Sequence, residues 1–471
     1  MNRILIDYSV HQVRTALVED GELVELQVEG IHSKNIVGNI YVGRVASVVA
    51  GMQAVFVDIG EEKNAYFYIE QGRPKPKTGQ SLLVQVEKPA TGTKGAVVTD
   101  NLSFAGKFVV LLPNQKEIGI SKKIADENER KRIKEIAKRL LPENYGIIIR
   151  TNGEYKSEEE YKEELEKLLL VCEDVLKKGQ YAMPPFLLHG ESSPALKAAR
   201  ELFTARVNEF VVNDKKEYEK LIQTVSKQDS AKIKYYDSNV PLFENYFLES
   251  QIEKALARKV WLKSGGFLII EQTEACVVID VNTGKFTGKK NQQATFAKTN
   301  KEAAVEIAKQ IRLRNLSGII IVDFIDMKEE EQRKELRILL EQETKKDRIK
   351  TVIVGMTELG LMQITRKKTS PSLAQVLTTN CRCCEGSGRV PSVEWVVSQM
   401  RRAVISIFVQ TIYNQVTITA DERLLYAFAG KEEGLKKELE KEYNKKIVLH
   451  AKQNLAFGYY EIEKDKLEDN L

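Results

Sequence analysis

Cysteine and histidine are scarce in this chain, and no long apolar run interrupts it. Of 471 residues, five are cysteine and four are histidine, at His11, His32, His189 and His450. A disulfide-braced scaffold would spread many cysteines along the chain, so that class is excluded, and free thiols fit a reducing compartment. No stretch is apolar for long enough to span a bilayer. The opening MNRILIDYSV lacks the basic start, apolar core and small-residue cleavage site of a secretory signal. A cytoplasmic address and no membrane span are therefore expected. Charge of one sign is not in excess either: 72 basic residues face 67 acidic ones, for a net +5. Any surface that attracts phosphates has to be a local patch. There are no internal repeats and no low-complexity tail, and at this length several domains are expected.

What is present reads as a multidomain α/β chain. Residues 1–34 predict a β-hairpin with its turn at Asp20-Gly21, too small to stand alone and in need of strands from elsewhere. From Gly38 to about Thr99, short strands broken by glycine-containing turns predict a small closed β-barrel. Residues 101–190 mix strands with charged helices that start near Asp126 and Ser157, where Ser157-Glu-Glu-Glu supplies a cap and first-turn acids. Residues 195–260 predict helices from Ser193, from Asp214 and across Glu249–Leu262, with KIKYYDS as a strand. Between Gly266 and Thr365, EACVVIDVN is a continuous apolar run, as for a strand covered on both faces. A helix over Ala294–Arg314 follows, with Ala303, Ile307, Ala308 and Ile311 on one side. SGIIIVDFIDM, a helix over Glu329–Lys345 and KTVIVGM complete a β-α-β-α-β pattern, which predicts a parallel sheet with right-handed crossovers. After Pro391 come a helix and a small β-α-β-β segment.

Three side chains stand out within that pattern. Asp280 and Asn282 are two apart at the carboxyl end of one strand, so they share a face. Asp323 ends the next strand, and the carboxyl edge of such a sheet is where ligands bind. Two carboxylates and an amide oxygen are hard donors suited to Mg²⁺. Such a cation can polarise a phosphoryl oxygen and activate a water. None of the four histidines lies in these strands, so metal-assisted phosphodiester hydrolysis fits better than a histidine acid–base pair. Acids that end strands can also be mere solvated caps; three such groups on successive apolar strands favour the cation. Asp326, three residues past Asp323, reads as structural.

Cys381, Cys383 and Cys384 crowd into TTNCRCCEGSGRV. Cys381 and Cys384 have the spacing that lets two thiolates reach one Zn²⁺. Structural zinc takes four ligands and no second C-x-x-C exists, so a second copy of the knuckle would complete the site and staple a dimer. Cys383 is a spare ligand or a spectator, and a redox C-x-x-C is the alternative. Cys172 and Cys276 sit in apolar runs and are expected in the core. In the barrel, Phe56, Tyr66 and Lys94 are candidates for stacking and pairing with a single strand, or core filling. Arg150-Thr151 followed by Asn152-Gly153 combines a guanidinium, a hydroxyl and turn amides, as in a phosphate cradle, with an ordinary surface pair at a strand end as the alternative.

IDVNTG, IVDFIDM and CRCCEGSGRV together resemble the ribonuclease E/G family, and the order of segments agrees from the first hairpin to the cysteine knuckle. The compact length, without a tail, resembles the G branch more than the longer E branch. The resemblance implies a metal-dependent endoribonuclease acting on single-stranded, A/U-rich RNA in rRNA and tRNA maturation and mRNA decay. It would leave a 5′-phosphate downstream and prefer 5′-monophosphorylated substrates. It implies an RNase H-like structural domain at 1–34 and 195–256, in which Asp7 stands alone, and an S1-type barrel of OB fold at 35–100. It further implies a 5′-phosphate sensor at 101–194, a DNase I-like parallel α/β catalytic domain at 257–377, a zinc link at 378–390 and a small α+β oligomerisation domain at 391–471. Asp280, Asn282 and Asp323 match the catalytic metal positions, Cys381 and Cys384 the zinc ligands that join dimers, pairs of which form tetramers. Phe56, Tyr66 and Lys94 match RNA-contact positions, and Arg150, Thr151 and Lys350 the 5′-phosphate pocket. Lys350 replaces an arginine and loses its bidentate geometry; Arg382 stands where proline is usual. The rival reading is a non-catalytic RNA-binding or ribosome-associated assembly protein that uses the barrel.

Overall fold

The computed structural model describes residues 1–30, 36–49, 51, 53–69, 74–90, 94–113, 115–190, 193–284, 292–327, 329–453, 455 and 458–465; His32 lies outside them. The chain divides into two compact units, Met1–Val376 and Leu377–Leu471.

The first unit opens with an antiparallel meander of strands Arg3–Tyr8, Gln12–Glu19 and Glu22–Gly30. Its second turn, between Gln12–Glu19 and Glu22–Gly30, has Asp20 at φ 51° and Gly21 at φ 85°, the positive pair that a tight hairpin needs. The partners that the hairpin requires come from some 200 residues further on. Arg3–Tyr8 pairs in parallel with Glu209–Val212, which pairs in parallel with Ile233–Tyr235. Ile4, Ile6 and Val13 are buried with Phe203, Phe210 and Leu221, so neither segment has a core without the other.

A closed barrel follows, as the glycine-punctuated strands predict. Ile40–Val49 pairs with Ala54–Asp58 on one side and Ser81–Lys88 on the other. Ala65–Tyr68 and Val97–Thr99 complete the ring, and Val45, Val55, Val57, Phe67, Val84 and Val98 fill it. Next comes a four-stranded sheet with helices Glu127–Leu140, capped by Asp126, and Glu158–Tyr181, whose Ser157 and Glu160 form a reciprocal capping box.

The sheet that carries the acids has six strands, in the order Lys259–Trp261, Phe267–Gln272, Cys276–Asn282, Gly318–Asp323, Leu361–Arg366 and Thr351–Met356. The parallel-sheet expectation is corrected here. Only Cys276–Asn282 and Gly318–Asp323 are parallel neighbours; the other four pairings are antiparallel. After Met356 the turn at Thr357–Gly360 is too short for a crossover. The chain therefore folds back as a hairpin, and its return strand takes the place beside Gly318–Asp323. A second correction concerns burial. Helices Gln292–Leu313 and Glu330–Thr344 cover one face, where Ala303, Ile307, Ile311, Leu336 and Leu340 meet Leu268, Ile279, Ile320 and Ile364. Within this unit the other face is open, with Val278, Ile319, Val352 and Val354 exposed. A third concerns the helix expected over Glu249–Leu262, which ends at Leu256. Ala257 is extended, and Lys259–Trp261 pairs with Phe267–Ile269 instead, because that pairing satisfies its amides and buries the flank of Val260 against the core.

One buried ion pair fixes the end of this sheet. Arg366, 2% exposed, donates from Nε to Asp347, 5% exposed, at 2.6 Å, and its Nη1 reaches Asn315 and the Leu316 carbonyl. Asp347→Ala is expected to cost about 3–5 kcal/mol, because it strands a buried guanidinium. Urea denaturation checks this; a loss below about 1 kcal/mol contradicts it.

In the second unit, helix Val393–Gln410 packs on a three-stranded sheet ordered Lys446–Ala451, Gln415–Ala420, Tyr460–Asp465. Val396, Met400, Val404, Ile418 and Phe428 form its core.

Candidate active site

Asp280 and Asp323 are register partners across the parallel pair of strands, so their Cα atoms are separated by about the interstrand spacing of 4.8 Å. Both are exposed on the open face of the sheet, and register partners point to the same side. Asn282, two residues on, donates from Nδ2 to the Asp280 Oδ2 at 2.8 Å. The three side chains singled out in the sequence therefore meet at one sheet edge. The Asp323 carboxyl is held above the ordinary carboxylate range by burial, by the charge of Asp280 and by that of Asp326. Two like charges forced together are stabilised by a shared cation, and the donor set suits a hard one.

The surroundings hold that edge still. Gly284 has φ +59°, and a Cβ there would come within 2.4 Å of the Gly265 carbonyl oxygen, so glycine lets the strand end turn tightly just beyond Asn282. Fully buried Asn300 donates to the Ile325 carbonyl at 2.7 Å and accepts from the Ile325 amide at 3.1 Å, which fixes the chain two residues past Asp323. Asn300 was not foreseen: a polar residue inside an amphipathic helix gives no signal of its partner.

On the barrel, Phe56 and Tyr66 are cross-strand partners with rings edge to face at 6.0 Å. Both are half-buried and turn outward, since Val55, Val57, Ala65 and Phe67 fill the interior. The Tyr66 amide bonds the Ala96 carbonyl, which brings exposed Lys94 along the same border. Tyr68, exposed on the same face, extends the aromatic row.

At the third place, the Arg150 amide donates to the Phe108 carbonyl at 2.7 Å and its Nη1 to the Gly106 carbonyl at 2.6 Å. That loop is held by Glu164, whose carboxylate accepts the amides of Lys107, Phe108 and Val109 at 2.6, 2.7 and 2.9 Å. Burial lowers the pKa of the Arg150 guanidinium. Thr151 Oγ1 lies 3.0 Å from Ser121 Oγ. Lys123 Nζ donates to the Asp347 carbonyl at 2.6 Å, so residues 121–123 touch both the Arg150-Thr151 turn and the approach to Lys350. Lys350 itself is exposed; among the described residues no hydrogen bond joins its side chain to Arg150 or Thr151.

At the knuckle, the amides of Cys383 and Cys384 point at the Cys381 sulfur and pull its thiol below the usual range. Glu385 at φ 49° and Gly386 at φ 94° turn the chain so that the Glu385 amide bonds the Cys381 carbonyl at 2.8 Å. Cys381 and Cys383 are exposed, and Cys384 is half-exposed. Among the described residues no three His, Cys, Asp or Glu side chains are grouped to hold a metal; the acid edge and the knuckle each offer two anionic ligands. Cys172 is buried as expected, while Cys276 is only half-buried, because it begins a strand on its open side.

Comparison with known proteins places these features in context. The model described as "Ribonuclease E/G family" matches residues 103–369. Ribonuclease G of Escherichia coli strain K12 is 36% identical over 458 residues, covering 92% of each chain. Ribonuclease G of Haemophilus influenzae is 36% identical over 474 residues, covering 96% of each. Ribonuclease E of Haemophilus influenzae is 32% identical over 486 residues, covering 98% of this chain and 52% of that protein.

Proposed function

This chain belongs to the ribonuclease E/G family, and from that membership we propose that it is an endoribonuclease that hydrolyses phosphodiester bonds in single-stranded RNA. The observation that carries the reading is the register pairing of Asp280 with Asp323, with Asn282 bonded alongside. These residues would hold Mg²⁺, which when bound polarises the phosphoryl oxygen and lowers the pKa of a coordinated water. Asp323 and Asp280 supply the anionic oxygens, and Asn282 orients Asp280 through its amide. Asn300 keeps the chain beyond Asp323 in place.

The remaining assignments extend this reading. The sheet at residues 3–30 and 209–235 serves as an RNase H-like support, and its Asp7 is supported in a structural role by its pairing with Arg14 at 2.6 Å. The closed barrel acts as an S1-type clamp in which Phe56 and Tyr66 meet bases and Lys94 meets phosphate. The six-stranded sheet and its two helices form the DNase I-like catalytic part. Cys381 and Cys384 share a zinc ion with the same pair of a second copy, and such dimers pair into tetramers. The substrates are precursors of rRNA and tRNA and decaying mRNA in the cytoplasm. The non-catalytic RNA-binding alternative has less support, because the acid pair has no use in it.

Arg150, Thr151 and Lys350 would receive a 5′-monophosphate. A charge-assisted contact of this kind is worth about 1.5–3 kcal/mol. Arg150→Ala is therefore expected to shrink the kcat/KM advantage of a 5′-monophosphorylated RNA over its 5′-hydroxyl twin by about tenfold or more. Cleavage of both oligonucleotides, with and without Mg²⁺, tests the whole reading. An unchanged ratio removes the pocket assignment, and cleavage without any divalent cation removes the metal.

A further inference from the structure

The open face of the six-stranded sheet carries an aromatic group beside the acid edge. Trp261 pairs with Phe267, and Phe267 with Asn282, across adjacent antiparallel strands. In the neighbouring row Lys259 pairs with Ile269, Ile269 with Asp280, and Asp280 with Asp323. Side chains at paired positions lie on the same face, and the alternate residues Val260, Leu268, Val281 and Val322 go to the core. Trp261, Phe267 and Lys259 therefore stand on the acids' own face. Trp261 lies two strands from Asn282, about 10 Å at the usual spacing.

The group is built rather than scattered. The Trp261 and Phe267 rings meet edge to face at 5.5 Å, and Lys259 Nζ sits 3.9 Å from one ring centroid and 3.7 Å from the other. Trp261 nevertheless remains 64% exposed. An indole so exposed, braced by a second ring and with an ammonium against it, offers an unstacked base a π-surface and the adjoining phosphate a positive charge. We propose that Trp261, braced by Phe267 and Lys259, is a stacking platform for a base of the RNA that flanks the scissile bond. This rests on the reading of Asp280 and Asp323 as the cleavage site. It adds a specificity-determining contact on the same face, and every base has a π-face, so the platform selects for unpaired RNA rather than for a particular letter.

The test uses the full chain and 5′-monophosphorylated oligonucleotides, each with one abasic residue at successive positions around the cut. For the unaltered protein, one flanking position is expected to show a KM about tenfold higher when its base is missing, in line with base–aromatic stacking. Trp261→Ala is expected to raise KM on intact RNA by a similar factor and to erase that positional penalty, with kcat changed far less; Trp261→Phe retains both. A direct readout comes from fluorescence. The chain has two tryptophans, so in an Asp280→Asn, Trp395→Phe background the remaining Trp261 emission should be quenched on RNA binding. An unchanged KM for Trp261→Ala, or an abasic penalty that persists in it, overturns the platform. So does a changed sedimentation coefficient with no change in the abasic profile, which would make this face a protein–protein surface. Continued cleavage by Asp280→Asn is a separate failure, that of the acid pair itself.

Discussion

Replacing Asp280 or Asp323 by asparagine is expected to lower Mg²⁺-dependent RNA cleavage by about 10³-fold or more, while the fold and RNA binding remain. The substitution keeps shape and removes one of two anionic oxygens donors that the cation needs. Losing roughly 4 kcal/mol of transition-state stabilisation, the scale of a Lewis-acid contribution, corresponds to that factor. Stability should move the other way. A carboxyl whose pKa is raised on folding contributes stability at low pH, where it is protonated in the folded state, and this is lost as pH rises through its folded value. Asp323 is such a group, through burial, Asp280 and Asp326. At neutral pH in chelator, Asp323→Asn should therefore melt above the unaltered protein. The gap should close as the pH falls far enough to protonate Asp323 in both states. Single-turnover cleavage and melting curves across pH read the two effects. Normal cleavage by either variant removes the site assignment, and a lower melting temperature in chelator at neutral pH removes the account of its electrostatics.

Serine at both Cys381 and Cys384 is expected to convert a zinc-linked dimer to monomer, halving each assembly built on that link. Two thiolates per chain cannot complete a tetrahedral site, so the proposed zinc would need the same pair from a second chain. Apparent binding energies of structural zinc, about 10–16 kcal/mol, are large enough for that link to dominate assembly. Sedimentation should show the smaller particle, and elemental analysis should fall from about one zinc per two chains to none. Treatment of the unaltered protein with a chelator should reproduce the change. Cys383→Ser separates ligand from spectator: it should leave both mass and zinc content intact, since Cys381 and Cys384 already have the C-x-x-C spacing that lets two thiolates reach one ion. Full-sized particles from the double variant, or zinc lost from Cys383→Ser alone, contradict the ligand assignment.

Much of the site was legible because its signals are local. Strand ends, alternation and caps depend on neighbours along the chain, so Asp126, Ser157, Ser193 and Asp214 were recognisable as helix starts. Asp280 and Asn282 reveal a shared face by their spacing of two, whatever the fold. Sheet order is different, because it depends on which strand wins a place against which neighbour. The hairpin return at Leu361–Arg366, inserted beside Gly318–Asp323, left no mark in the hydrophobic pattern that distinguishes it from a distant edge strand. The same limit hid the open face: Val278 and Ile319 are apolar, and an apolar run reads as buried on both sides whether or not a layer covers it.

The sequence by itself determined the chemistry available, namely hard oxygen donors at strand ends, paired thiolates in a tight knuckle and a guanidinium at a turn. These follow from residue type and short spacing. Only the tertiary structure decided that Asp280 faces Asp323, that Glu164 braces the loop under Arg150, and that Trp261 shares the acids' face. Each of these depends on which segments pair and pack together, which burial of a common core selects and no hydrophobic pattern encodes.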